Sequence, residues 1–271
     1  MKDTDLNSES KCQQGIKGYA AGQKKVQGWL IQLQCYHPAN MLYSSPITES
    51  RQLVLVITAD WDAVAGTLWR YERVSVDAPW RLVNSQWPVV VGRNGMGWGR
   101  GLHALQVGEG PIKREGDGKA PAGVFRLIRA FGYALAAEAT AVKLPYLRLT
   151  STIECVDDAR SAHYNTLVDR SQMPAVDWNS AEQMLREDER YRWGVIVEHN
   201  TAPAIAEAGS CIFLHIWENA SAGTSGCTAM EAKHLEQLLG WLDPVAHPVL
   251  AQLPESEFKR LCQSWGLPKP A

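Results

Sequence analysis

The segment Leu53-Val54-Leu55-Val56-Ile57-Thr58 is a continuous apolar and β-branched run, and it admits one reading, a strand buried on both faces. Thr67 to Val76, Trp87 to Val91, Gly194 to Glu198 and Cys211 to Trp217 read as further short strands, each bounded by turn residues. Two glycine-dense stretches, residues 92–101 and 116–123, punctuate the middle of the chain. Neither has phosphate-loop spacing, and Gly116-Asp117-Gly118 reads as a tight turn requiring positive φ. Helix signals are fewer. Ser180 with Gln183 has capping-box spacing before the charged run Ala181 to Arg190, and Thr228 with Glu231 repeats it. Beyond the second box, Met230, His234, Leu235, Leu238 and Leu242 recur at helical steps until Asp243-Pro244 stops them. The balance argues a mainly β domain carrying a few helices.

Composition narrows the partners. Lys and Arg number 27 against 29 Asp and Glu, so no basic stripe supports nucleic-acid binding. Val26 to Thr48 lacks formal charge but is interrupted by Gln27, Gln32, Gln34, Pro38 and Asn40, so no integral membrane segment is expected. Lys24-Lys25 precedes an apolar stretch too short and too polar for a signal peptide, and no export signal is visible. Residues 1–50 read as a polar N-terminal extension, 51–254 as a single folded domain and 255–271 as a C-terminal tail. The six cysteines form no CxxC pair and are too sparse for a disulfide scaffold.

One cysteine stands in a distinct setting. Strand alternation puts His215 on one face with Cys211, Phe213 and Trp217, and Ile212, Leu214 and Ile216 on the other. The small-residue loop Glu218 to Gly226 then leads to Cys227, just before the capping-box Thr228. That spacing predicts Cys227 at a helix N-terminus, where the macrodipole favours a thiolate and a nearby imidazole could shuttle its proton. Taken alone, Cys227 reads as a buried small hydrophobe and His215 as a core histidine. The pair, with Gly223, Thr224, Ser225 and Gly226 opening the approach to the sulfur, favours chemistry over packing.

Phe213-Leu214-His215 followed by Thr224-Ser225-Gly226-Cys227 resembles the catalytic motif of the L,D-transpeptidase (YkuD-type) family, a strand His and then Ser/Thr-x-Gly-Cys. Gly116-Asp117-Gly118-Lys119-Ala120-Pro121-Ala122-Gly123-Val124-Phe125 is similar to a second family stretch. Cys155 to Asp158 with His163 to Asn165, and Val195 to Asn200, look like further segments, so the resemblance covers about residues 52–254 in the expected order. It implies a β-sandwich or open-barrel catalytic domain acting on peptidoglycan stem peptides in the periplasm or cell envelope. The implied nucleophile is Cys227, with His215 as general base and acid. Gly226 and Cys227 amides would bind the oxyanion, Thr224 would help order the loop, Ser225 would border the oxyanion and substrate site with them, and His199 matches a second histidine near such sites.

The implied reaction releases D-Ala, forms a thioester and passes the acyl group to an amine, making a 3-3 crosslink. Water as acceptor gives an L,D-carboxypeptidase, and a non-catalytic peptidoglycan-binding module is the third alternative. No cofactor is implied, and a metal held by His199, His215 and Cys227 would occupy the nucleophile. The chain departs from the family at Ala229, where many members carry Arg two residues after the Cys. Arg93, Arg100, Lys113 and Lys119 are the candidates to replace that charge.

Overall fold

The computed structural model describes residues 45–83, 86–104 and 110–270. The N-terminal extension read over residues 1–50 lies outside them up to residue 44. The strands are β1 (Gln52–Thr58), β2 (Ala65–Glu72), β3 (Arg81–Leu82), β4 (Trp87–Val90), β5 (Met96–Trp98), β6 (Ala120–Gly132) and β7 (Tyr146–Arg148). They continue as β8 (Ile153–Val156), β9 (Leu167–Asp169), β10 (Ala181–Gln183), β11 (Trp193–Val197), β12 (Phe213–Ile216) and β13 (Thr228–Met230). Helix α1 (Ala232–Trp241), strand β14 (Val249–Pro254) and helix α2 (Glu255–Trp265) complete the order.

Eight strands close on themselves in the order β1-β14-β6-β11-β12-β13-β4-β2, with β2 pairing back to β1. The expected mainly β class holds, and the barrel is closed. Most neighbours are antiparallel, but β1 pairs β14 and β12 pairs β13 in parallel. A helix covers each of these pairs: α1 packs on β12, and α2 packs on β14 and β1. α2 packs against β14 and β1, which explains why Leu53, Val54, Leu55 and Val56 are all buried rather than alternating. Residues 255–270, read above as a tail, are mostly this helix, and Phe258, Leu261 and Trp265 are buried in the core. Each such side chain stabilises the fold by about 1.5–3 kcal/mol.

The second architectural element is a small antiparallel sheet, β10-β8-β9, from the chain between β7 and β11. A disulfide joins Cys155 in β8 to Cys211, two residues before β12. Asn165 adds hydrogen bonds, its Nδ2 donating to the carbonyls of His199 (2.8 Å) and Asn200 (2.7 Å) while Oδ1 accepts from the Cys211 amide (2.9 Å). The segments 163–165 and 195–200 therefore meet in space.

Two expectations fail here. Ala181–Gln183 does not start a helix: it is β10, paired to β8 with Glu182 opposite Cys155, and the Ser180 hydroxyl donates to the Asp157 carboxylate instead of capping. Thr228 likewise does not cap a helix. It lies in β13 opposite Leu214 of β12, and its hydroxyl donates to Gln252 Oε1 (2.7 Å) inside the core. In both places a strand partner supplies the backbone hydrogen bonds that local capping spacing had assigned to a helix. Helix α1 begins only at Ala232.

Candidate active site

β12 carries the alternation expected of it. Ile212, Leu214 and Ile216 belong to the main core, whereas Cys211, Phe213 and Cys227 pack in a second cluster with Phe131 and Tyr191. On that second side a cleft of about 320 Å³ opens, lined by His215, Thr224, Ser225, Gly226 and Cys227. Gly194, opposite His215 in register, leaves space for the Phe131 ring, which a Cβ there would meet at 2.1 Å.

The histidine is fixed by its own strand. His215 Nδ1 lies 2.8 Å from the Ile216 carbonyl, and since a carbonyl only accepts, Nδ1 carries the proton and Nε2 keeps its lone pair. The edge of the Tyr191 ring meets the imidazole at 5.2 Å and 77°. Burial pushes the His215 pKa down to about 4, with Arg186 and Arg190 acting in the same direction.

Cys227 immediately precedes β13, so no helix dipole acts on it, which overturns the helix-terminal thiolate expected above. Its sulfur accepts from the Phe213 amide (3.3 Å) and its S–H faces the Cys211 carbonyl (3.6 Å). Burial, and then the charge of Glu182, push the thiol up to about 12, against the Phe213 amide, Lys113 and Arg186. At rest Cys227 is a thiol and His215 a neutral imidazole, and both line the cleft.

Thr224 ties the loop together. Its hydroxyl donates to the Cys227 carbonyl (2.6 Å) and accepts from the Gly226 amide (3.1 Å), while its backbone N–H bonds Val91 (2.9 Å) at the end of β4. The Gly226 amide, expected to bind an oxyanion, is thus engaged by Thr224. The Cys227 amide has no hydrogen-bond partner among the described residues. Gly226 has φ 155°, and a Cβ there would sit 3.1 Å from the Lys119 carbonyl oxygen, so the turn into the cysteine is made for glycine. The Ser225 hydroxyl accepts from Arg93 Nη1 (3.1 Å).

His199 is elsewhere. Its Nδ1 accepts from the Arg100 amide (3.2 Å), Nε2 donates to the Ala208 carbonyl (3.0 Å), and the ring stands edge-on to Phe125 at 5.8 Å. It does not line the cleft, and burial pushes its pKa down to about 3.

Of the four candidate cations, Arg93 and Lys113 line the cleft. Arg100 lines a separate cleft with Arg126 and Glu198, and Lys119 Nζ donates to the Asn94 carbonyl (2.6 Å). The far wall holds charges that the sequence reading placed on a helix: Glu182, Arg186 and Arg190. Arg186 grips Asp188 with two bonds of 2.9 Å, and Arg190 pairs with Glu218 at 3.1 Å. Glu182 accepts from the Tyr191 hydroxyl at 2.6 Å. No spacing signal marks these residues in the sequence, because the small sheet and the barrel bring them together.

A family model for the L,D-transpeptidase catalytic domain (YkuD) matches residues 70–250, which is 181 of 271 positions. The chain belongs to the YkuD family. No curated protein and no solved structure matches it significantly. The YkuD match contains all of β12, the Thr224–Cys227 loop and the small sheet, so the whole cleft falls within the family domain. No group of residues suited to holding a metal ion occurs among the described residues, and none of their helices is long and apolar enough to cross a membrane.

Proposed function

We propose that the protein is a cysteine-dependent acyltransferase acting on peptidoglycan stem peptides, with Cys227 as nucleophile and His215 as general base and acid. The observation that carries this reading is that one cleft of a YkuD domain is lined by both side chains, with Nδ1 of the histidine held by a carbonyl so that Nε2 is the base.

As Cys227 Sγ adds to the carbonyl carbon between the L-centre of a diamino acid and D-Ala, His215 Nε2 takes the thiol proton. Attack and proton transfer are coupled, because neither ion exists in the resting pair. The Cys227 amide donates to the oxyanion. Collapse of the intermediate returns the proton to the departing D-Ala amine and leaves a thioester. An acceptor-stem amine then attacks the thioester carbon and gives its proton to His215; the C–S bond breaks, Cys227 Sγ takes that proton back from His215, and the new amide is the 3-3 crosslink. Thr224 keeps the loop in register by bonding both Gly226 and Cys227.

The runner-up is an L,D-carboxypeptidase, in which water resolves the same thioester. Ala229 favours it, since the orienting Arg common in the family is absent. The Cys155–Cys211 disulfide supports an oxidising compartment, as a periplasmic or envelope role in the cell wall requires.

Incubation with a disaccharide-tetrapeptide, followed by mass analysis, separates the readings. A dimer supports transpeptidation, a tripeptide supports hydrolysis, and intact substrate with no acyl adduct on Cys227 rejects both.

A further inference from the structure

The replacement for the missing charge lies under the cysteine loop. The Lys113 side chain is 3% exposed yet lines the cleft. Its stem passes over Gly209, where a Cβ would meet Lys113 Cε at 3.0 Å, and its Nζ lies 3.7 Å from the Cβ position of Gly226. The ammonium donates to Asp117 Oδ1 (2.5 Å) and to the Arg114 carbonyl (2.6 Å). Asp117 is held in turn by the amides of Arg114 (2.7 Å) and Lys119 (2.9 Å), in the glycine turn noted in the sequence.

Resting on the function proposed above, we infer that the Lys113 ammonium, oriented by Asp117, is the fixed positive charge of this active site. It is a positioning residue that acts through space to stabilise negative charge on Cys227 Sγ and on the substrate oxygen.

Arg93 is the weaker candidate. Its guanidinium is exposed and screened by solvent, whereas Lys113 is buried, where a charge is felt more strongly. The other charges that act on Cys227 are Glu182, which opposes thiolate, and Arg186, which favours it. Tyr191 and His215 are neutral at neutral pH. Around Lys113 stand Asp117, the neutral His199 and, across the cleft floor, Glu115, which accepts from Tyr164 and Ser210. Arg190, Glu218 and Asp157 lie on the outer wall.

The test is the pH dependence of Cys227 alkylation by iodoacetamide in the full chain, read by mass spectrometry of the Cys227 peptide. Lys113→Met should shift the profile towards higher pH, read as alkylation slowed by about tenfold at neutral pH. Lys113→Arg should restore the wild-type profile. Asp117→Asn, which removes the counter-charge, should shift the profile towards lower pH. A purely structural lysine would not give shifts of opposite sign. Superimposable profiles for wild type and Lys113→Met, or shifts in the same direction for both variants, overturn the inference. If Lys113→Met fails to fold by circular dichroism, Asp117→Asn decides alone: a downward shift supports the role, and an unchanged or upward one rejects it. Wild-type Cys227 that resists alkylation altogether rejects the proposed nucleophile as well, a result distinct from loss of the Lys113 effect alone.

Discussion

His215 and Ala229 are register partners across the parallel β12–β13 pair, so their side chains emerge on the same side of the sheet. Ala229 is 0% exposed, and its other neighbour in register is Val90 of β4. An arginine at 229 would have to push through this packed layer beside the imidazole. Ala229→Arg should therefore destabilise the protein by about 3 kcal/mol rather than restore a substrate contact. The corresponding fall in Tm is roughly 6–12 °C. A variant that melts with the wild type and crosslinks better would show that the layer has room.

His215→Ala should lower kcat/KM by about 10² to 10⁴ while the barrel stays folded. The pH profile adds a sharper expectation. A protonated imidazole cannot accept the thiol proton, and burial holds its pKa at about 4 rather than 6.5. Activity should rise through about pH 4 and stay flat through neutrality. An acidic limb centred near 6.5 would contradict the buried, carbonyl-anchored histidine.

Folding stability should fall as pH drops from 6.5 towards 4. His103, His199 and His215 are all buried, and burial depresses their pKa values to about 4, 3 and 4. Between those values and 6.5 the unfolded chain binds protons that the folded chain refuses, so protonation favours unfolding. Urea midpoints at pH 7, 5.5 and 4.5 should decline in that order. Imidazole ring signals in NMR should stay those of the neutral form down to pH 5 for all three residues.

Reducing the Cys155–Cys211 disulfide should cost stability and loosen the wall of the cleft. The bond closes a separation of 56 residues, for which chain entropy gives about 4 kcal/mol. Cys155→Ser should lower the urea midpoint, and the same variant should lose sensitivity to dithiothreitol. Unchanged midpoints with and without reductant would mean that Asn165 and the strand pairing alone secure the small sheet.

What the sequence made legible follows from the range of the interactions involved. The Leu53–Thr58 run and the two faces of β12 were readable because burial on a strand imprints a period of two or a continuous apolar run. That Cys227 and His215 line one cleft was readable because the strand and the loop that carry them are close along the chain. The helix assigned after Thr228 was misplaced by a few residues because Thr-x-x-Glu spacing is local information, while the partner that makes Thr228 a strand residue, Leu214, is contributed by β12. Arg186, Arg190 and Lys113 needed the fold: their relation to Cys227 depends on how the small sheet and the glycine turn close around β12 and β13. Residues 255–270 concealed a core helix because a mostly polar amphipathic segment at a chain's end looks like a tail, although Phe258, Leu261 and Trp265 already carried its apolar face.

The position of β14 has a consequence for how such a molecule is made. This strand stands between β1 and β6, pairing Leu53 with Val249 and Leu250 with Phe125. Until β14 and α2 leave the ribosome, the nascent chain has two open sheet edges and a β1 strand whose apolar faces are uncovered. The barrel cannot zip shut progressively from its beginning, and its closing contacts span nearly the whole domain, a topology that folds slowly. A chain clipped before Val249 would lack the strand between β1 and β6, as well as α2, and the exposed edges would recruit strands from other chains. Closure of this barrel therefore waits on β14, a strand made well after both of its neighbours.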